Sequence, residues 1–358
     1  MPDPTRVLVA GGGPAALEGV LAVQRLAGER VDVTLLSDRD AFVYRPVAVA
    51  EPFGFAAPQR FSLTRLAADR GIALRVDALA AVDTDAKLVR TAGGDALPYD
   101  ALLLALGARA EEALPGALTF RGPEDSGRLR AALAALHAGE PLRVAFVAAP
   151  ETAWTLPLYE LALMTARWAA DQGLAVEPWL VTYEHRPLGI FGDDAAATVA
   201  ELLADAGVRL WTGAFADAVE DGRLWISIEG GLPVDLAVAL PRFSGPNVAG
   251  LPADAHGFVP VDAHGRVAGA PDVYAAGDMT TRPLKQGGLA TQQADAAAAA
   301  IAGVEAPGYR PVLRAMLLTG DRPHFLRHAP GDRGAAADEA PWWPPHKIAA
   351  RELAPYLA

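Results

Sequence analysis

The sequence predicts an α/β protein built on parallel sheets, and three observations carry that prediction. Short apolar runs alternate with Ala- and Leu-rich stretches of helical length. A glycine-rich turn joins the first apolar run to the first helix, and a second strand–helix–strand unit opens at Val144. The chain has 358 residues, 52% hydrophobic and 21% charged, which is enough apolar surface to close more than one core.

In chain order, Val7 to Ala10 reads as a buried strand, Pro14 to Leu26 as a helix and Val31 to Leu36 as the second strand. Ala101 to Leu106 is a further apolar strand closed by Gly107. Pro123 to His137 reads as a linking helix, with Asp125 and Ser126 near its start as capping residues. Val144 to Ala148, Leu158 to Asp171 and Val176 to Tyr183 form the second strand–helix–strand unit. Ala195 to Ala206 follows as a helix, then Val208 to Trp211 and Leu224 to Ile228 as strands. The chain returns through Val273 to Ala276, a strand ending in Gly277 and Asp278, and then the Ala-rich helix Gly288 to Ala302. Pro and Trp clusters set the C-terminal region apart, with Trp342-Trp343-Pro344-Pro345 ahead of a short predicted helix, His346 to Leu353.

Gly11-Gly12-Gly13-Pro14-Ala15-Ala16 fits the pattern G-x-G-x-x-A between a strand and a helix. Gly11 makes the tight turn, Gly13 lets the backbone approach a diphosphate, and Ala16 lets helix and strand pack closely. The diphosphate then lies on the helix N-terminus, where free N–H groups and the helix dipole favour negative charge. The acid expected at the end of the second strand is matched by Ser37, with Asp38 following, and either serves a ribose.

With two further segments, this turn resembles the two-dinucleotide-binding-domain flavoproteins of the pyridine nucleotide-disulfide oxidoreductase superfamily. Tyr99-Asp100-Ala101-Leu102-Leu103-Leu104-Ala105-Leu106-Gly107 is similar to the family's Y-D-x-L-x-x-A-T-G strand, with Leu106 where Thr is usual. Asp272-Val273-Tyr274-Ala275-Ala276-Gly277-Asp278 is similar to its V-Y-A-x-G-D strand, whose Asp binds the ribityl chain of FAD. The resemblance implies two Rossmann-like domains of the glutathione-reductase type, the second inserted in the first. It places the FAD-binding domain at 1–120 and 244–304, the second domain at 121–243 and a short C-terminal region at 305–358. FAD is then the cofactor, held by Gly11, Gly13, Pro14, Ala15, Ser37, Asp38, Arg45, Ala105, Gly107, Gly277, Asp278, Gly288 and Leu289. Gly288 and Leu289 open a helix whose dipole would favour an anionic flavin. Lys285, Tyr44 and Arg45 are the expected catalytic residues near the ring.

Lys285 to Ala297 and Phe42-Val43-Tyr44-Arg45-Pro46 resemble the branch of sulfide:quinone oxidoreductases, flavocytochrome c sulfide dehydrogenases and type-II NADH dehydrogenases. The chain departs from that branch in its chemistry. It has no cysteine, and Trp154 stands where the sulfide oxidisers carry one, so a dithiol or polysulfide relay is excluded. The second glycine loop is replaced by Ala148-Ala149-Pro150-Glu151-Thr152, whose carboxylate repels phosphate. Glu184, at the end of the following strand, remains a ribose ligand or a solvated acid. NAD(P)H is therefore an open choice of donor. The expected function is electron transfer through non-covalent FAD, from NAD(P)H to a quinone or similar small acceptor. A flavocytochrome-c-like dehydrogenase of a small donor, and a slow flavin-binding sensor or assembly protein, are the alternatives.

The absence of cysteine also excludes disulfides and iron–sulfur clusters. The 7 histidines show no metal-site spacing, so no metal is expected. A net charge of -12 leaves no excess of cations for nucleic acid or for broad docking on an anionic membrane. A short polar N-terminus and the lack of an apolar run of about 20 residues point to a cytoplasmic protein. Peripheral contact with the inner face of the membrane through the Trp-rich C-terminal region, with Lys347 and Arg351 on its helix, stays open, as does a homodimer.

Overall fold

The computed structural model describes residues 3–135 and 142–358. Five strands form the first sheet in the order Val273–Ala275, Ala101–Leu104, Thr5–Ala10, Val31–Ser37, Ala73–Val76, every neighbouring pair parallel. Ala101–Leu104 is buried along its whole length, which explains why it reads as an unbroken apolar run rather than an alternating one. Helix Pro14–Ala27 and helix Gly287–Ile301 pack against each other on this sheet through small residues, among them Ala15, Ala16, Ala290, Ala294 and Ala297. A Cβ on Gly19 would lie 2.4 Å from Leu103 Cδ2, so glycine is what lets the first helix sit this close to the sheet.

The second sheet is also five-stranded and parallel: Leu118–Thr119, Leu236–Ala239, Leu142–Ala148, Val176–Thr182, Arg209–Thr212. Helices Leu156–Gln172 and Asp193–Asp205 pack on it. Each doubly wound unit carries a three-stranded antiparallel sheet, Leu79–Asp83 with Leu88–Thr91 and Ala96–Pro98, and Ala216–Glu220 with Arg223–Ile226 and Gly230–Pro233. The strand expected to reach Ile228 stops at Ile226, because Ile228 turns at φ 63°. The linking helix spans Pro123–Ala134; His137, its expected end, lies outside the described residues.

The C-terminal region holds an antiparallel sheet, Leu313–Leu317, His324–His328 and Ala335–Ala337. The helix expected over His346 to Leu353 does not form; a five-residue helix, Leu353–Leu357, follows it instead. Side chains elsewhere in the fold claim the backbone donors that such a helix would need. The Ile348 N–H donates to the Tyr44 hydroxyl at 2.8 Å, and the N–H groups of Arg351, Glu352 and Leu353 donate to the Glu18 carboxylate at 2.9, 2.9 and 2.7 Å. Residues 346–352 therefore lie as a strap across the first domain. Arg351 stays exposed, but Lys347, expected on the exposed side of a helix, points inward with only 7% of its side chain accessible.

Candidate functional site

The glycine turn sits where the first strand gives way to its helix. Gly11 has φ 135°, and a Cβ there would lie 2.2 Å from the carbonyl oxygen of Ala105. Its N–H donates to the Leu36 carbonyl at 2.8 Å, which ties the turn to the second strand. A Cβ on Gly12 would meet Ser37 Oγ at 2.5 Å, whereas nothing lies within 4 Å of that position on Gly13. Helix Pro14–Ala27 starts at Gly13 without a side-chain cap, so its first-turn amides are left for a ligand. Gly277, at φ 79°, fits between Ala15 and Ala290, each 3.3 Å from where its Cβ would be. This contact brings the strand end carrying Asp278 against the glycine turn. Gly107, at φ 73°, has open space on its Cβ side.

These residues fit FAD. An uncapped helix start, the open face of Gly13 and the buried Ser37 suit a diphosphate and ribose, and Asp278 suits a chain of hydroxyl donors. Asp38 stands apart, with 64% of its side chain exposed beside Arg39. Burial raises the Asp278 carboxyl to about 6, against the pull of the Lys285 charge. Burial lowers Lys285 to about 8, opposed by Asp278 and Asp254. Without FAD, the stability linked to the protonated Asp278 carboxyl is fully present below its ordinary value of 3.8 and is lost as pH rises through about 6. The Asp278→Asn variant is therefore expected to lose less thermal stability than the unsubstituted protein across that window. Parallel unfolding curves of the two FAD-free proteins against pH would contradict this.

The residues expected near the ring are held in different ways. Tyr44 is buried, its hydroxyl accepts from Ile348, and burial pushes it up to about 12, so it anchors the strap. Arg45 donates to both Glu124 oxygens at 2.7 and 2.8 Å and to the Arg121 carbonyl at 3.1 Å. The Lys285 ammonium donates to the carbonyls of Thr280 and Arg282 at 2.6 and 2.8 Å and sits 3.9 Å from the centre of the Phe258 ring. Two of its three N–H groups are thus engaged by backbone carbonyls. At the start of helix Gly287–Ile301 the Leu289 N–H already donates to Gln286 Oε1 at 2.8 Å, a cap that the reading of this helix as a bare dipole missed.

Arg45 and Lys285 both line a cavity of about 150 Å³, together with Phe120, Trp154 and Phe243. A second cavity, of about 390 Å³, is lined by Thr155, Tyr183, Glu184, His185, Arg186 and Leu284, and the two share Thr152, Ala153 and Trp154. Trp154 packs edge-on against Phe191 at 5.9 Å and forms an aromatic wall common to both. Glu184 is turned into the domain: its Oε2 accepts from Tyr159 and Thr182 at 2.7 and 3.0 Å.

A buried ion pair was not legible as such in the sequence. Lys347 of the strap donates to Glu160 Oε1 at 2.5 Å, and the Leu318 N–H donates to the same oxygen at 2.9 Å. Glu160 Oε2 is buried without a partner. Burial raises the Glu160 carboxyl and lowers the Lys347 ammonium, each opposed by the other's charge. The strap residues beside Lys347 lie over the start of helix Gly287–Ile301: a Cβ on Gly287 would be 3.2 Å from Ile348, and one on Gly288 would be 3.7 Å from the Ala349 nitrogen. Among the described residues no three His, Asp or Glu side chains cluster as a metal site, and no helix is long and apolar enough to cross a membrane.

Comparison with known proteins agrees with this geometry. A NADH dehydrogenase-like protein of Mycobacterium tuberculosis is 31% identical over 301 residues, 77% of this chain and 72% of its own length. The sulfide:quinone oxidoreductase of Aquifex aeolicus superposes with a TM-score of 0.82 at 22% identity, covering 93% of this chain and 86% of that one. A ferredoxin reductase of Rhodopseudomonas palustris superposes with a TM-score of 0.69 at 22% identity, covering 90% and 81%. The profile of the pyridine nucleotide-disulphide oxidoreductases matches residues 5–300; the chain belongs to that family and is an FAD-dependent oxidoreductase.

Proposed function

We propose that the protein passes electrons from a nicotinamide nucleotide, through FAD, to a quinone or similar small acceptor. The observation that carries the reading is the pair of adjacent cavities that share Thr152, Ala153 and Trp154 in their walls, one lined by residues of the second domain and the other by Arg45 and Lys285. When bound, FAD supplies the ring that takes up and releases the electrons. The chain supplies everything around it. Gly11, Gly13 and the helix start would hold its diphosphate, and Asp278 would accept from its ribityl hydroxyls. Lys285 offers a hydrogen bond to an electron-rich oxygen, while Arg45, fixed by Glu124, keeps a positive charge on the cavity wall.

A donor other than nicotinamide is favoured by one feature, the absence of a glycine loop over 149–155. Anaerobic mixing of the FAD-loaded protein with NADH or NADPH, followed by menadione, separates the readings. Bleaching of the visible flavin band by nucleotide and its return on adding the quinone are the expected results. An unchanged flavin band at saturating nucleotide would sink the nicotinamide reading.

A further inference from the structure

The last strap residues rest on a pair of carboxyls that the proposed chemistry does not use. Glu18 lies on helix Pro14–Ala27 and Asp295 on helix Gly287–Ile301. The helices cross closely there, since a Cβ on Gly19 would be 3.9 Å from that of Ala294. The two carboxyls come within hydrogen-bonding reach of each other. Glu18 is fully buried, and both of its oxygens accept from the N–H groups of Arg351, Glu352 and Leu353. Asp295 Oδ1 is buried, and no donor among the described residues reaches it. The charged groups facing the pair are Glu352 and Arg351 of the strap, and Glu352 is itself paired with Arg25 at 2.5 Å. The Arg351 side chain is 67% exposed, so water screens its charge.

An ionised carboxylate accepts but cannot donate, so two of them in contact repel unless one carries a proton. The three strap N–H groups stabilise the charge on Glu18, which leaves the proton to Asp295. We infer that Glu18 and Asp295 share one proton and that this proton clasps the strap to the first domain. Protonated Asp295 donates to the Glu18 carboxylate, and the carboxylate in turn holds residues 351–353. The same strap covers Gly287 and Gly288, so the clasp governs how tightly the start of that helix is covered. Burial raises Asp295 to about 7, the Glu18 charge pushes the same way, and Arg351 opposes both. The two carboxyls titrate as a unit. When the strap lifts, water reaches the pair and Asp295 returns toward its ordinary 3.8. The closed strap therefore holds the extra proton. Its closure is fully present below about 3.8 and is lost as pH rises through about 7.

Hydrogen exchange on the FAD-loaded protein reads the clasp. After correction for intrinsic exchange, protection at the N–H groups of Arg351, Glu352 and Leu353 is expected to fall about tenfold or more between about pH 5 and about pH 8. Asp295→Asn carries its donor at every pH, so its protection should stay within about twofold across the same range. Infrared spectroscopy follows the proton itself. A protonated-carboxyl band should vanish as pH rises through about 7, in step with strap protection, and be missing from Asp295→Asn. Strap protection that ignores pH overturns the inference, as does an unaltered pH dependence in Asp295→Asn. The unsubstituted protein also decides alone if the variant folds poorly: absence of a carboxyl band that titrates together with strap protection overturns the shared proton.

Discussion

Replacing Gly11 by alanine is expected to give a protein that no longer retains FAD. The methyl group would lie 2.2 Å from the Ala105 carbonyl oxygen, and that oxygen belongs to backbone, which cannot swing aside. Ala105 is itself fixed, since its N–H donates to Ala10 at 2.8 Å. Overpacking of this kind costs about 1–3 kcal/mol, and a side chain forced to the φ of Gly11 adds a similar amount. The strain relaxes by parting the turn from the segment that follows strand Ala101–Leu104, the same two elements that would frame the diphosphate. Gly13→Ala is the instructive contrast, because its Cβ meets nothing protein-borne within 4 Å. It should fold normally and lose FAD only through contact with the cofactor. Flavin absorbance relative to protein, together with the melting temperature, separates the two: Gly11→Ala loses both flavin and stability, Gly13→Ala flavin alone.

Lys347→Met is expected to be the most damaging change in the C-terminal region. It leaves Glu160 fully buried with no cation, and breaking a buried pair from one side costs about 3–5 kcal/mol. Glu160→Gln in the same chain should recover most of that loss, since neither member is then charged. The pH dependence gives the sign. Burial already raises Glu160, and without Lys347 only the Leu318 hydrogen bond opposes that shift, so the single variant should gain stability relative to the unsubstituted protein as pH falls and Glu160 protonates. If the single and double variants melted together at every pH, the pair would not be an energetic unit.

The parts of this fold legible in the sequence were those whose signal is local. The turn at Gly11 declares itself by composition, and the buried parallel strands, such as Ala101–Leu104, by unbroken apolar runs. Small residues along Gly287–Ile301 signalled a helix, and the close packing on Pro14–Ala27 explains why they are small. What escaped depends on partners distant in the chain. Lys347 and Glu160 are 187 positions apart, and a lysine after Trp-Trp-Pro-Pro looks like one more surface charge. The strap at 346–352 has helix-compatible residues, but Tyr44 and Glu18 outbid local carbonyls for its N–H groups. The Gln286 cap on Leu289 was hidden for a different reason, because a glutamine at a helix start is common and its orientation is not written in the pattern.

The departures noted in the sequence acquire a physical setting. Trp154, standing where sulfide oxidisers have a cysteine, is the wall between two cavities. The missing second glycine loop corresponds to a loop in which Pro150 has no N–H and the Thr152 N–H donates to the Ala149 carbonyl.

The flavin content of the purified protein tests the central claim most directly. Released cofactor should be FAD, present in a stoichiometric ratio to the chain and displaced by Gly11→Ala. A colourless protein that takes up no FAD when it is supplied would contradict the account.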